Sequence, residues 1–176
     1  MKKVIVVLAL MLGVSLSTFA QDYSVKRGYK GVFEGGYTTI VSGFNSGKIE
    51  LSTSHGYQFN PYLFVGAGFG VECYTQSLYF VMPVFANVKV TPLKGNITPF
   101  VDLKGGYGII GYFEGLYLSP TIGCRFGLTR RIGLNVGVGY TLQQTNTKYY
   151  EWDPLDKLEN KTINFHGLSF KFGFDF

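Results

Sequence analysis

Residues 163–176 read INFHGLSFKFGFDF, and the spacing within them decides the fold. Counted in twos, Leu168, Phe170, Phe172, Phe174 and Phe176 fall on one face, while Gly167, Ser169, Lys171, Gly173 and Asp175 fall on the other. Successive side chains of an extended strand point to opposite sides, so a period of two predicts a strand. One face of it is apolar and the other is small or charged. A wall strand between lipid and a polar interior needs that division. A soluble strand would need a cover for its four phenylalanines, and the sequence places nothing after them.

The same alternation recurs upstream, over 29–41, 48–59, 62–74, 78–90, 99–112, 117–129 and 132–144. Val101, Leu103, Tyr107 and Ile109 oppose Asp102, Lys104, Gly106 and Gly108, and Leu134, Val136, Val138 and Tyr140 oppose Gly133, Asn135, Gly137 and Gly139. With the final stretch this makes eight strands. Asn60-Pro61, 91–98 and Arg130-Arg131 read as short turns, because Pro fixes φ and cannot continue a ladder. They alternate with loops near 43, 76, 114 and 152, of which 145–162 is the longest. Pro83 is ill-suited to a central strand and predicts a bulge or a position near a rim.

The aromatic alternation ending on Phe176 resembles the terminal signature of bacterial outer-membrane β-barrels. In that family the pattern is read by the barrel-assembly machinery. The resemblance extends over the chain as a small barrel of the OmpX/OmpA-barrel-like, porin-like group. It implies an all-β, eight-stranded, antiparallel up-and-down transmembrane β-barrel in the outer membrane of a Gram-negative cell. It further implies both termini on the periplasmic, short-turn side, with Phe170, Phe172, Phe174 and Phe176 as the assembly signature and outer-membrane lipid and lipopolysaccharide as surroundings.

The first 20 residues read as a separate object. Lys2 and Lys3 precede an apolar run from Val4 to Leu16, then small residues up to Ala20, which is the form of a signal peptide cut before Gln21. The barrel domain is then 21–176. Without Lys2 and Lys3, 14 basic residues face 11 acidic ones, too small an excess to indicate nucleic acid. Beyond the signal, no apolar run reaches the ~20 residues of a membrane helix, so a chain that crosses a membrane here does so as a closed barrel. Aromatic residues at 17% and charged residues at 15% agree with such a wall.

Alternation alone does not say which face points inward. A lipocalin-like soluble barrel puts the apolar face inside. Eight strands enclose a bore just wide enough for side chains to fill, and four or five large apolar groups per strand are too bulky for it. The polar face therefore lines the lumen. It carries Lys30, Glu34, Glu50, Glu72, Lys89, Asp102, Lys104, Arg125 and Lys171. Both signs are present, which predicts an ion-paired plug of Arg125 and Lys104 against Glu34, Glu50, Glu72 and Asp102. Tyr29, Tyr57, Phe59, Tyr79, Phe100, Tyr112, Tyr117 and Tyr140 lie toward strand ends and are expected to form interfacial girdles.

Few residues carry a chemical signal. His55 and His166 are the only histidines. Lipid-A-modifying barrels set a His and a Ser two apart, whereas here Thr53 and Tyr57 flank His55, and Asn164 and Leu168 flank His166, so catalysis is not expected. Gly66 to Gly70 lacks the spacing and helix of a dinucleotide loop. Cys73 and Cys124 fall on the apolar face of the third and sixth strands, too far apart to bridge and without the neighbours of a zinc site. No cofactor is indicated. Tyr149, Tyr150 and Trp152 make the 145–162 loop the candidate surface for an extracellular partner. The expected role is structural or surface-binding without catalysis, with a narrow porin-like channel for small solutes or ions as the alternative and a lipid A-modifying enzyme ranked after it.

Overall fold

The computed structural model describes residues 27–41, 47–76, 80–109, 114–129, 132–148 and 160–176. The signal segment and the tips of several loops, with Tyr79, Tyr112, Tyr149, Tyr150 and Trp152, lie outside them. The strands are β1 (Gly28–Ile40), β2 (Gly47–Asn60), β3 (Leu63–Tyr74), β4 (Phe80–Val81), β5 (Pro83–Val90), β6 (Ile97–Gly108), β7 (Gly115–Gly127), β8 (Gly133–Lys148) and β9 (Asn160–Asp175). β4 and β5 both pair with β3 in one register and form a single wall strand broken at Met82. The break falls just before Pro83, which has no amide hydrogen to give the ladder. The wall therefore has eight strands, each antiparallel to its neighbours, and the pairing of β1 with β9 closes it.

The register fixes the shape. From Gly28, paired residues run through Gln58, Phe64, Lys89, Asp102, Thr121, Gly139 and Ser169 and return to β1 at Thr38, ten residues along. For eight strands at ordinary sheet spacings, a ten-residue stagger gives a tilt of about 41° and a backbone radius of about 8 Å. Nearly all of that width is taken by side chains.

The two faces divide as the alternation requires. Outward side chains are apolar and exposed, with Phe170 at 64% and Ile122 at 59%. Inward ones are polar and buried, with Asp102, Lys104 and Asp175 each at 1%. This is the reverse of a soluble protein, so the driving force for burial of the wall has to come from an apolar surrounding. Cys73 on β3 and Cys124 on β7 are free thiols.

Two girdle expectations are corrected. Phe100 and Tyr117 point into the bore and are each 3% exposed. Their positions share the parity of Asp102 and Ser119, and nearness to a strand end does not override parity. A glycine makes the room: a Cβ on Gly123 would lie 2.7 Å from Phe100 Cζ. Tyr29, Tyr57, Phe59 and Tyr140 do face outward.

The short turns are built locally. Asn60 Oδ1 accepts hydrogen bonds from the amides of Tyr62 (2.8 Å) and Leu63 (2.9 Å), closing the β2–β3 turn. Thr129 Oγ1 accepts from the amide of Ile132 at 3.0 Å and does the same for β7–β8. At the other rim, β8 and β9 run on together. Their ladder continues from Gln144↔Asn164 to Lys148↔Asn160, five pairs past the last pair with β7, or about 16 Å along the strand. The sequence reads as loop there because TNTK and NKT hold no apolar residue to mark an alternating face.

Candidate functional site

The bore is the most highly organised part of the molecule, and parity alone puts each polar group into it. Among the described residues it buries Lys30, Lys48, Lys89, Lys104, Arg125 and Lys171 together with Glu34, Glu50, Glu72, Asp102 and Asp175.

These charges sit in layers. At the short-turn end, Asp175 collects three donors. Lys30 Nζ lies 2.9 Å from Oδ2, Arg125 Nε donates to both oxygens at 3.0 Å, and Asn135 Nδ2 donates to Oδ1 at 2.9 Å. Lys89 donates to Asn135 Oδ1 at 2.9 Å. In the middle, Lys104 pairs with Glu34 and reaches Ser52 Oγ at 3.3 Å. Above it, Lys171 donates to Ser119 Oγ at 2.7 Å and lies 3.8 Å from Glu50, which also accepts from Thr38 at 3.1 Å. At the loop end, Lys48 stands 2.7 Å from Glu72. That contact is close in distance but off the hydrogen-bonding line.

The pairing differs in part from the sequence expectation. Lys104 meets Glu34, but Arg125 meets Asp175 rather than Glu50, Glu72 or Asp102. Register explains this. Arg125 pairs with Asn135 near the turn end of the wall, level with Asp175, while Glu50 and Glu72 pair with each other near the loop end. Asp102 makes no ion pair within 4.0 Å among the described residues and sits beside Lys89 in register. Asp175 and Lys48 lie on the polar faces of their strands, but only the three-dimensional register shows their partners, Lys30 and Arg125 for the one and Glu72 for the other.

A second set of contacts was not anticipated from the sequence. Four lumen aromatics each carry a lysine over the ring: Lys30 over Phe64, Lys89 over Phe100, Lys104 over Phe85 and Lys48 over Tyr117, at 4.0 to 6.0 Å from the centroid. An aromatic face attracts a cation and fills volume at the same time. The signal was a large aromatic at lumen parity, in Phe64, Phe85, Phe100 and Tyr117. Small cavities remain at the two ends of the bore, each of about 10 Å³, which is space for about one water.

Comparison by sequence finds no matching family and no significant curated relative. Comparison by structure finds the crystal structure of Neisserial surface protein A, with a TM-score of 0.59 over 85% of this chain and 97% of that one, at 12% identity. The fold is that of a small outer-membrane β-barrel. A de novo designed transmembrane β-barrel also matches, covering 90% of this chain and 100% of that one at 14% identity and a TM-score of 0.46.

On the lipid-facing wall of this transmembrane barrel the histidines need an account, since an unsatisfied polar group there is costly. His55 has both ring nitrogens engaged. Tyr29 Oη lies 2.6 Å from Nδ1, and Thr53 Oγ1 lies 3.1 Å from Nε2. Thr53 Oγ1 also donates to the Val32 carbonyl at 3.3 Å. One proton arrangement satisfies every group: Tyr29 donates to Nδ1, Nε2–H donates to Thr53, and Thr53 donates to Val32. It leaves the Thr53 hydroxyl proton on a carbonyl rather than on a base. Tyr140 Oη meets His166 Nδ1 in the same way, at 2.5 Å.

Proposed function

We propose that this protein is a non-catalytic, integral outer-membrane barrel. Its bore is a structural filling, and its extended β8–β9 hairpin presents residues 149–159 to a partner outside the cell. The observation that carries the reading is the contrast between the two: charge pairs and lysine–aromatic contacts occupy the bore at successive levels, while one hairpin alone among the described strands runs five pairs past its neighbours. A filled bore supports a scaffold, and a projecting ribbon supports contact. In this reading the short turns and both termini face the periplasm, and lipid and lipopolysaccharide surround the wall. The Phe170–Phe176 row serves the assembly machinery.

The test is planar-bilayer conductance of the refolded protein. No steady current is expected across a filled bore. Stable unitary steps would instead favour the narrow porin-like channel. The hairpin's orientation is tested by adding protease to intact cells, with cleavage within 149–159 as the expected outcome.

A further inference from the structure

The short-turn end of the bore carries more positive charge than it neutralises. Lys30 and Arg125 share the single carboxylate of Asp175. Lys89 donates to an amide and lies beside Asp102 in register, the second carboxylate at this level. Lys94 adds a fourth cation at the rim, where its Nζ lies 5.5 Å from the Tyr62 ring. A cavity of about 10 Å³ opens among Pro61, Lys94, Gly95, Thr98 and Arg125. One buried polar atom in its lining has no partner among the described residues, Thr98 Oγ1, on a residue 4% exposed. Arg125, also 4% exposed, commits its Nε to Asp175, and no acceptor is described for its two terminal nitrogens.

We infer that this cavity is an oxyanion site that takes a phosphate group. The donor set fits that chemistry. A guanidinium offers a planar fork, a hydroxyl offers one further donor, and a lysine at the mouth offers a mobile charge. The cavity holds about one water and so admits one oxygen of the anion, while the remaining oxygens stay at the rim beside Lys94. An anion there would also balance the surplus charge that burial makes costly. Two sources offer the same group: free phosphate in the aqueous compartment, or the phosphate of a lipid headgroup at the rim, where Tyr62 and Leu93 are exposed beside the site.

The test titrates the full-length barrel in a neutral detergent with inorganic phosphate, and separately with phosphatidylglycerol, following ³¹P line width and heat of binding. Thr98→Val and Lys94→Gln serve as variants, since neither residue holds an ion pair of the bore and both are expected to fold. An unchanged heat-dependent gel shift checks that they do. Saturable phosphate binding by the wild type, weakened about tenfold in each variant, supports the site with free phosphate as its ligand. Variant-sensitive binding of phosphatidylglycerol without binding of inorganic phosphate supports it with a lipid headgroup as the source. Absence of saturable binding of either probe, or equal binding in wild type and variants, overturns it.

Discussion

Lys30 Nζ lies 2.9 Å from Asp175 Oδ2, and the two residues stand on β1 and β9, the strands whose pairing closes the barrel. Asp175 is the last residue of β9 and is 1% exposed. Through Arg125 and Asn135 it also ties in β7 and β8, so one carboxylate joins four consecutive wall strands at the seam.

Asp175→Ala should therefore destabilise the barrel by about 3 kcal/mol, the usual cost of leaving a buried charge without its partner. The check is the urea midpoint of unfolding in micelles or vesicles, together with the temperature at which the folded band is lost on a gel. Asp175→Glu, which keeps the charge, should recover part of the loss. An unchanged midpoint for the alanine variant would show that the seam does not depend on this carboxylate.

Lys104 and Glu34 pair across the middle of the bore. Lys104→Met and Glu34→Gln should each lower stability by about 2–3 kcal/mol, and the double variant should lose less than their sum by at least about 1 kcal/mol. A double-mutant cycle in urea measures this directly. Strict additivity would mean that the two groups do not interact in solution.

The lipid-facing assignment makes a depth-dependent prediction. Val138 lies midway along the apolar wall, 47% exposed, and Leu128 lies at the short-turn rim. Val138→Arg should cost about 2–4 kcal/mol in a bilayer and Leu128→Arg about 0–1 kcal/mol. Refolding yield and urea midpoint in vesicles give the comparison. Equal costs at the two depths would contradict a membrane-spanning wall.

Gly139 gives the complementary test on the inside. A Cβ there would come within 2.6 Å of Thr121 Oγ1, 2.7 Å of the Pro120 carbonyl and 2.9 Å of Ser169 Oγ. Gly139→Val should overpack the bore and destabilise it by about 1–3 kcal/mol, with a lower thermal midpoint as the readout. A tolerated valine would show that the filling is looser than the geometry indicates.

How much of this was legible in the sequence depends on what each feature rests on. Period-two alternation separated the eight wall strands into two faces, because a residue's parity is a local property, and the bulk of the apolar set then identified the inward one. Lys104 and Glu34 could be named as lumen residues, and even as partners of opposite sign. The partner of Arg125 could not. It depends on the stagger around the whole wall, which sums the pairings of eight strands and has no local signature. Phe100 and Tyr117 were misread for a different reason: their place near strand ends suggested a girdle, whereas their parity, shared with Asp102 and Ser119, fixed them inside. The outer part of the last hairpin escaped because TNTK and NKT hold no apolar residue, and so show no alternation to read.

The ten-residue stagger has a further consequence. If β9 met β1 one residue out of step, the row of phenylalanines would turn inward and Asp175 would turn to lipid. A two-residue error would keep the faces but resize the tube, to a radius of about 7.6 Å or about 9 Å in place of about 8 Å. The slip that narrows the tube would set Asp175 opposite Lys30, whereas the slip that widens it moves Asp175 from opposite Val32 to opposite Glu34, a like charge, and roughly 6.6 Å further from Lys30 along the strand. The charges inside thus act as a gauge in one direction: a wider seam would set Asp175 against Glu34, so the filling that occupies the bore also limits its width.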